Sequence, residues 1–312
     1  GNDVAITENA ATDIGASILG GTLAITSAGN VTDSGTIAIT GTTTINAGSN
    51  NITIDNGDGT FGTLELTGNT VAITENASTD LGASTVAAGL SLVSAGNVTD
   101  SGTIAVTGTT TINAGANNIT IDNGDGTFGT LELVGNDVAI TENAATDIGT
   151  STIAGDASFT SAGAVTDSGT LAITGTTAIN AGANNITINN GSGTFGTLEI
   201  IGNNVIVSEN AATDIGASTI AGDASFTSTG NVTDSGTIAI TGTTTINVGG
   251  NNITLNNGDG TYGTLQLLGN DVTVDENAAT DIGASSVGGT LNIDSAGNIT
   301  DSGTITVAGT TT

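Results

Sequence analysis

The chain has 312 residues, of which 30 are Asp or Glu and none is Lys, Arg or His, so its formal charge is −30 with no side-chain cation to offset it. Cys, Met, Trp and Pro are absent too, which puts a Ser-His-Asp triad, a thiolate nucleophile, a Schiff-base lysine, a phosphate-clamping arginine and a His/Cys zinc site out of reach. Nucleic acids and anionic membranes recruit basic side chains, and long-range repulsion turns both away from this chain.

A negative, Gly-rich chain can fail to bury enough apolar surface to fold. Here the mean hydropathy is +0.20, and the apolar residues are mostly Ile, Val, Leu and Ala set among Thr, a mixture that suits strands. Taken in order, the predicted elements form three segments: VAIT…TDIGASIL from Val4, LAITSAGNVTDSGTIAIT from Leu23, and TTINAGSNNITIDNGDGTFGTLELT from Thr43. Each has the order strand, corner, short strand, Gly, strand, and Gly15, Gly35 and Gly62 align as the glycines ahead of the last strand. The segments run to about 20, 20 and 27 residues, with the additional seven around DNGDG. Period-2 alternation, as in Thr36-Ile37-Ala38-Ile39-Thr40, marks the strands. No segment has a helical period.

The block GNDVAITENAATDIGAS at Gly1 returns at Gly68, Gly135, Gly202 and Gly269, a spacing of 67 each time. The units are residues 1–67, 68–134, 135–201, 202–268 and a partial 269–312, with no linker between them. A single coil cannot bury its apolar face alone and must stack on its neighbours. The expected fold is therefore all-β: one continuous single-chain parallel β-helix, or β-solenoid, over residues 1–312 with three coils per unit. With strands about 4.8 Å apart, each unit climbs roughly 14 Å. Gly1 opens and Thr312 closes in mid-pattern, and exposed terminal strands are templates for pairing. The expectation is a segment of a longer chain, or a subunit that assembles end to end into filaments.

The phrases ITSAGNVTDSGTIAITGTTTINAGSNNIT and FGTLELTGNTVAITENA resemble the repeats of giant bacterial surface proteins related to filamentous haemagglutinin. The resemblance spans the whole chain and implies an extracellular, cell-surface β-helical shaft with a structural or adhesin role. It also implies that host or surface ligands are met by regions outside this segment.

Two sets of acids are candidate cation ligands. Asp13 and Asp33 both lie in T-D-x-G, 20 residues apart, a spacing that would stack their carboxylates one strand apart. The pair recurs as Asp80 with Asp100, Asp147 with Asp167, Asp214 with Asp234, and Asp281 with Asp301. Paired carboxylates raise one pKa, share a proton or hold a cation. Alternatively, each Asp accepts backbone N–H groups at a turn. The second set is DNGDG, with Asp55 and Asp58, then Asp122 and Asp125; flexible carboxylate turns suit calcium. The third unit, however, reads NNGSG there, and Asn-Gly forms turns unaided.

Gly57, Gly59 and Gly62 spell G-x-G-x-x-G, but a strand follows where a dinucleotide site needs a helix. Thr42, Thr43 and Thr44 suggest an ordered Thr array, yet Leu23 and Ala24 interrupt it, so these Thr are expected on a solvated face. Glu8 and its copies Glu75, Glu142, Glu209 and Glu276 are expected at a polar corner, as are the sequon residues Asn30, Asn51, Asn97 and Asn118. Near-identical acids in every unit speak against an active site, which has to break the repeat. The expected function is a non-enzymatic structural or adhesive shaft, partnered by copies of itself or flanking repeats, requiring no cofactor and inserting into no membrane. A calcium (Ca2+)-dependent scaffold and a carbohydrate-binding or cleaving β-helix are the alternatives.

Overall fold

A strand with one apolar face and Gly, Asn or Asp at both ends buries that face only by stacking on another strand. A computed structural model describes the backbone of residues 1–312 and every side chain except those of Asp58, Gly124, Asp125, Gly191 and Ser192. Its named elements are all strands. Two compact units, Gly1–Gly155 and Asp156–Thr312, are each a parallel β-solenoid.

In the first unit the opening strands are β1 (Val4–Glu8), β2 (Thr12–Ile14), β3 (Ser17–Leu19), β4 (Leu23–Ser27), β5 (Val31–Asp33), β6 (Ile37–Ile39), β7 (Thr42–Asn46), β8 (Ile52–Gly59) and β9 (Thr63–Gly68). Strands β1, β4, β7 and β9 stack on one face, with Val4 opposite Leu23, Leu23 opposite Thr43 and Thr43 opposite Leu64, so successive coils take 19, 20 and 21 residues. A second face stacks β2, β5 and β8, and a third stacks β3 on β6.

The next repeat opens with β10 (Val71–Glu75), β11 (Thr79–Leu81), β12 (Ser84–Val86), β13 (Leu90–Ser94), β14 (Val98–Asp100), β15 (Ile104–Asn113) and β16 (Ile119–Gly135), followed in the first unit by β17 (Val138–Glu142), β18 (Thr146–Ile148) and β19 (Ser151–Ile153). Three coils per repeat hold, but β9 begins a further coil, so β10 lands one face on: Val71 lies opposite Ile52 of β8. The step recurs where Val138 meets Ile119 and, in the second unit, where Val205 meets Ile186 and Val272 meets Ile253.

That register changes two sequence expectations. Gly62 does not align with Gly35. It lies against Gly41, whose carbonyl oxygen would be 2.7 Å from a Cβ added at Gly62, whereas a Cβ at Gly35 would meet the Ala16 nitrogen at 2.5 Å. The cause is that GTLEL pairs with the Thr42–Asn46 strand, while Thr60 bridges Ala38 in the place a third-face strand would take. Thr43 is not on a solvated face either. It alternates in phase with inward Ile45 and is fully buried, with Thr42 and Thr44 half-buried on either side.

The core is a set of apolar columns, such as Ile25, Ile45 and Leu66 on one face and Val31, Ile52, Val71 and Leu90 on another, all buried. Each such side chain contributes about 1.5–3 kcal/mol on burial. Asn residues tie the corners between coils: Asn30 Oδ1 accepts the Asn51 N–H at 3.1 Å, and Asn51 Oδ1 accepts the Thr70 N–H at 3.2 Å.

Candidate functional site

The T-D-x-G acids sit at the short strands of the second face, and their register is 19 residues, not 20. Asp13 lies opposite Thr32, and Asp33 lies opposite Ile14. The glycines that follow are 20 apart because Ser34 adds a residue after the strand, so alignment on glycine misplaces the acids by one. Since neighbours along a strand point to opposite faces, the expected carboxylate pair is not formed. Asp80 likewise meets Thr99, Asp214 meets Thr233 and Asp281 meets Thr300, while Asp100, Asp234 and Asp301 lie opposite Leu81, Ile215 and Ile282.

The two acids of each former pair do different work. The first collects hydroxyls from neighbouring coils. Ser34 donates to Asp13 at 2.7 Å; Thr63 and Ser101 donate to Asp80, each at 2.8 Å; Thr130 donates to Asp147 at 2.9 Å. In the second unit Thr197 and Ser235 donate to Asp214 at 2.9 and 2.6 Å, and Thr264 and Ser302 to Asp281 at 3.0 and 2.7 Å. The Ser302 hydroxyl is the main cause holding the Asp281 carboxyl below its ordinary range.

The second acid holds the DNGDG segment of the following coil. Asp33 accepts the Asp55 N–H at 3.2 Å and Asp100 the Asp122 N–H at 3.1 Å. Asp167 accepts the N–H groups of Asn189 and Asn190 at 2.9 and 3.2 Å, and Asp234 those of Asn256 and Asn257 at 2.9 and 3.3 Å. Partial burial is the largest influence on Asp33, Asp100 and Asp234 and raises their pKa values, with the backbone donors opposing it. Asp301 is exposed. The turn role foreseen for these acids thus exists, but it acts across coils.

Asp55 and Asp122 are exposed on a bulge, where the strand register slips between Ile54 and Gly59 and again between Ile121 and Gly126. The side chains of Asp58 and Asp125 lie outside the described residues. Among the described residues, no three of Asp, Glu, His and Cys gather to hold a metal ion. Gly57 and Gly59 belong to β8, and no helix among the described residues is long and apolar enough to cross a membrane.

The main departure from expectation is the glutamates. Glu75, Glu142, Glu209 and Glu276 are 1–3% exposed, not at a polar corner. Each ends a strand whose inward residues alternate with it, as Val71, Ile73 and Glu75 do. Each Oε1 accepts the N–H of the aromatic residue after the bulge: Phe61 at 2.8 Å, Phe128 at 2.7 Å, Phe195 at 2.8 Å and Tyr262 at 3.0 Å. The acid therefore clamps the return of the bulge as Asp33 clamps its start. Period-2 alternation was the signal that could have placed these acids inside. Glu8, at the end of β1, is exposed. Tyr262 stands where the other three units have Phe, and its hydroxyl donates to Asp234 Oδ2 at 3.4 Å.

A second unforeseen group is Ser84 and its copies. Strand β9 is covered by two short strands, with Leu64 opposite Leu81 of β11 and Thr67 opposite Thr85 of β12. In the gap, Ser84 Oγ accepts the Leu66 N–H and donates to the Gly82 carbonyl, both at 3.0 Å. Ser151, Ser218 and Ser285 repeat the arrangement.

A family model described as "Repeats of unknown function (DUF5649)" matches residues 1–67, 68–133, 135–200, 202–266 and 269–312. No curated protein and no solved structure matches the chain.

Proposed function

Because the chain belongs to the family of repeats of unknown function (DUF5649), carried in five tandem matches, we propose that it is a structural shaft segment of an extracellular bacterial fibre or giant surface protein. It works by stacking, not by chemistry. The observation that carries this reading is that successive repeats spend the same polar side chains on the same internal bonds. The glutamate clamp, the Asp that precedes the bulge and the Ser in the β9 gap recur in register. A reacting centre occurs once and has to interrupt such a pattern, whereas a load-bearing repeat gains from keeping it.

The extracellular and adhesive part rests on the likeness of the repeats to those of filamentous-haemagglutinin-related proteins. It is supported by the absence of Lys and Arg, which leaves trypsin no bond to cut. In this reading the partners are flanking repeats or further copies, and any adhesion target is met by other regions of the parent protein. The test is immunogold labelling of intact cells of the source bacterium with antibodies to the repeats. Label on surface fibres that is stripped by a broad-specificity protease is the expected result; label confined to the cytosol of permeabilised cells overturns the reading.

A further inference from the structure

One buried glutamate, Glu75, carries a chemical state as well as a bond. Oε1 of Glu75 is satisfied by the Phe61 N–H, but Oε2 is buried with no partner. The hydroxyl beside it, that of Thr79, donates to Ser94 Oγ at 3.0 Å. Ser94 in turn donates to the carbonyl of Ala77 at 2.9 Å or of Gly96 at 3.1 Å. A hydroxyl has one proton to give, so both protons are spent away from Glu75, and Thr79 Oγ1 has only acceptor capacity left to offer the carboxyl. An ionised Oε2 would be a buried anion without a donor, among the costliest states a protein interior can hold. A protonated Oε2 supplies the donor that the hydroxyl chain lacks.

Glu142 differs at the hydroxyl: Oε1 takes the Phe128 N–H, while Oε2 and Thr146 Oγ1 are both buried without a partner, so that hydroxyl still has its proton to give. In the fourth unit, by contrast, Thr213 donates to Glu209 Oε2 at 2.7 Å. No side-chain cation exists in the chain to compensate any of them. The titratable groups on the elements packed around Glu75 are Asp55 and Asp58 on β8 and Asp80 on β11, with none on β13. All are acids, and none can favour a second negative charge.

We infer that Glu75 is held as a neutral carboxylic acid that donates its Oε2–H to Thr79, so that this stretch of the solenoid is hardened by acid and loosens from within as the proton leaves. Burial, opposed by the Phe61 N–H, pushes the Glu75 carboxyl up from 4.5 to about 7. Between those two values the folded state holds a proton that the unfolded chain has released. The stability this supplies is complete below about 4.5 and is lost as the pH rises through about 7.

Two measurements on the full chain test this. Carbon-13 titration of the Glu carboxyl carbons should show a glutamate still protonated at pH 6 that is absent from the E75Q variant. Thermal unfolding from pH 5 to pH 8.5 should show the wild-type Tm falling across the range. The E75Q variant, whose amide copies the neutral acid, should have a flatter profile that meets or exceeds wild type at pH 8.5. Two outcomes overturn the inference: every Glu carboxyl ionised by pH 6, or an E75Q variant that loses more stability at pH 8.5 than at pH 5. The wild-type titration decides the matter even if the variant does not fold.

Discussion

Thr43 shows how a single hydroxyl can work against its own column. Its side chain is completely buried between Leu23 and Leu64, and Oγ1 has no hydrogen-bond partner; Thr110 and Thr177 repeat the situation. In the fourth unit the equivalent Thr244 donates to the Tyr262 carbonyl at 2.6 Å. An orphaned buried hydroxyl costs about 1–3 kcal/mol, and Val has nearly the same shape and a stronger strand preference. Thr43→Val should therefore raise stability by about 1 kcal/mol in urea unfolding, and Thr244→Val should lower it; equal effects at both sites would remove the partner from the explanation. These sites were only half legible in the sequence. Alternation with Ile45 places Thr43 inside, and alternation with Ile73 places Glu75 inside, but a lone polar residue at a strand end reads equally well as the start of a corner. Only the coil stacked above, with its Phe61 N–H in reach, separates the two.

Strand β9 is the element that sets the repeat apart from a simple stack of equal coils. It is six residues long and is covered by β11 and β12, which leave the Leu66 N–H between them without a backbone acceptor. Ser84 fills that gap at 4% exposure. Ser84→Ala should thus cost about 1–3 kcal/mol, the penalty of a buried unsatisfied N–H, and should speed hydrogen exchange at the Leu66 amide in particular. Unchanged exchange there would show that another acceptor moves in. The coil architecture itself was open to sequence reading, because the 67-residue spacing and the strand alternation both survive inspection by eye. The register was not. Glycines offered the strongest alignment marks, and the solenoid uses them at two different corners: Gly35 against Ala16 and Gly62 against Gly41. Aligning on glycine shifted the Asp pair by one residue and hid the further coil that β9 opens.

At the scale of the whole molecule the question is what a chain of charge −30 does with its acids when it has no basic side chain. One answer is divalent ions, and the regular spacing of the T-D-x-G acids invites it. The register argues for another. Asp80 and Asp281 receive two or more hydroxyl donors, Asp33, Asp100 and Asp234 receive backbone N–H groups, and the buried glutamates receive the aromatic N–H after the bulge. Donors already stabilise these acids one at a time, and the acids that would have formed cation-binding pairs lie on different rows. What remains uncompensated is diffuse repulsion among exposed acids, which monovalent salt screens over about 10 Å at 0.1 M. Chelation of divalent ions at constant ionic strength should therefore leave the Tm unchanged, while raising NaCl from low concentration to about 0.1 M should increase it. A fall of several degrees on chelation alone, reversed by calcium and not by NaCl, would mean that ions bridge the Asp rows despite their register, and the stacking account of the acids would fail.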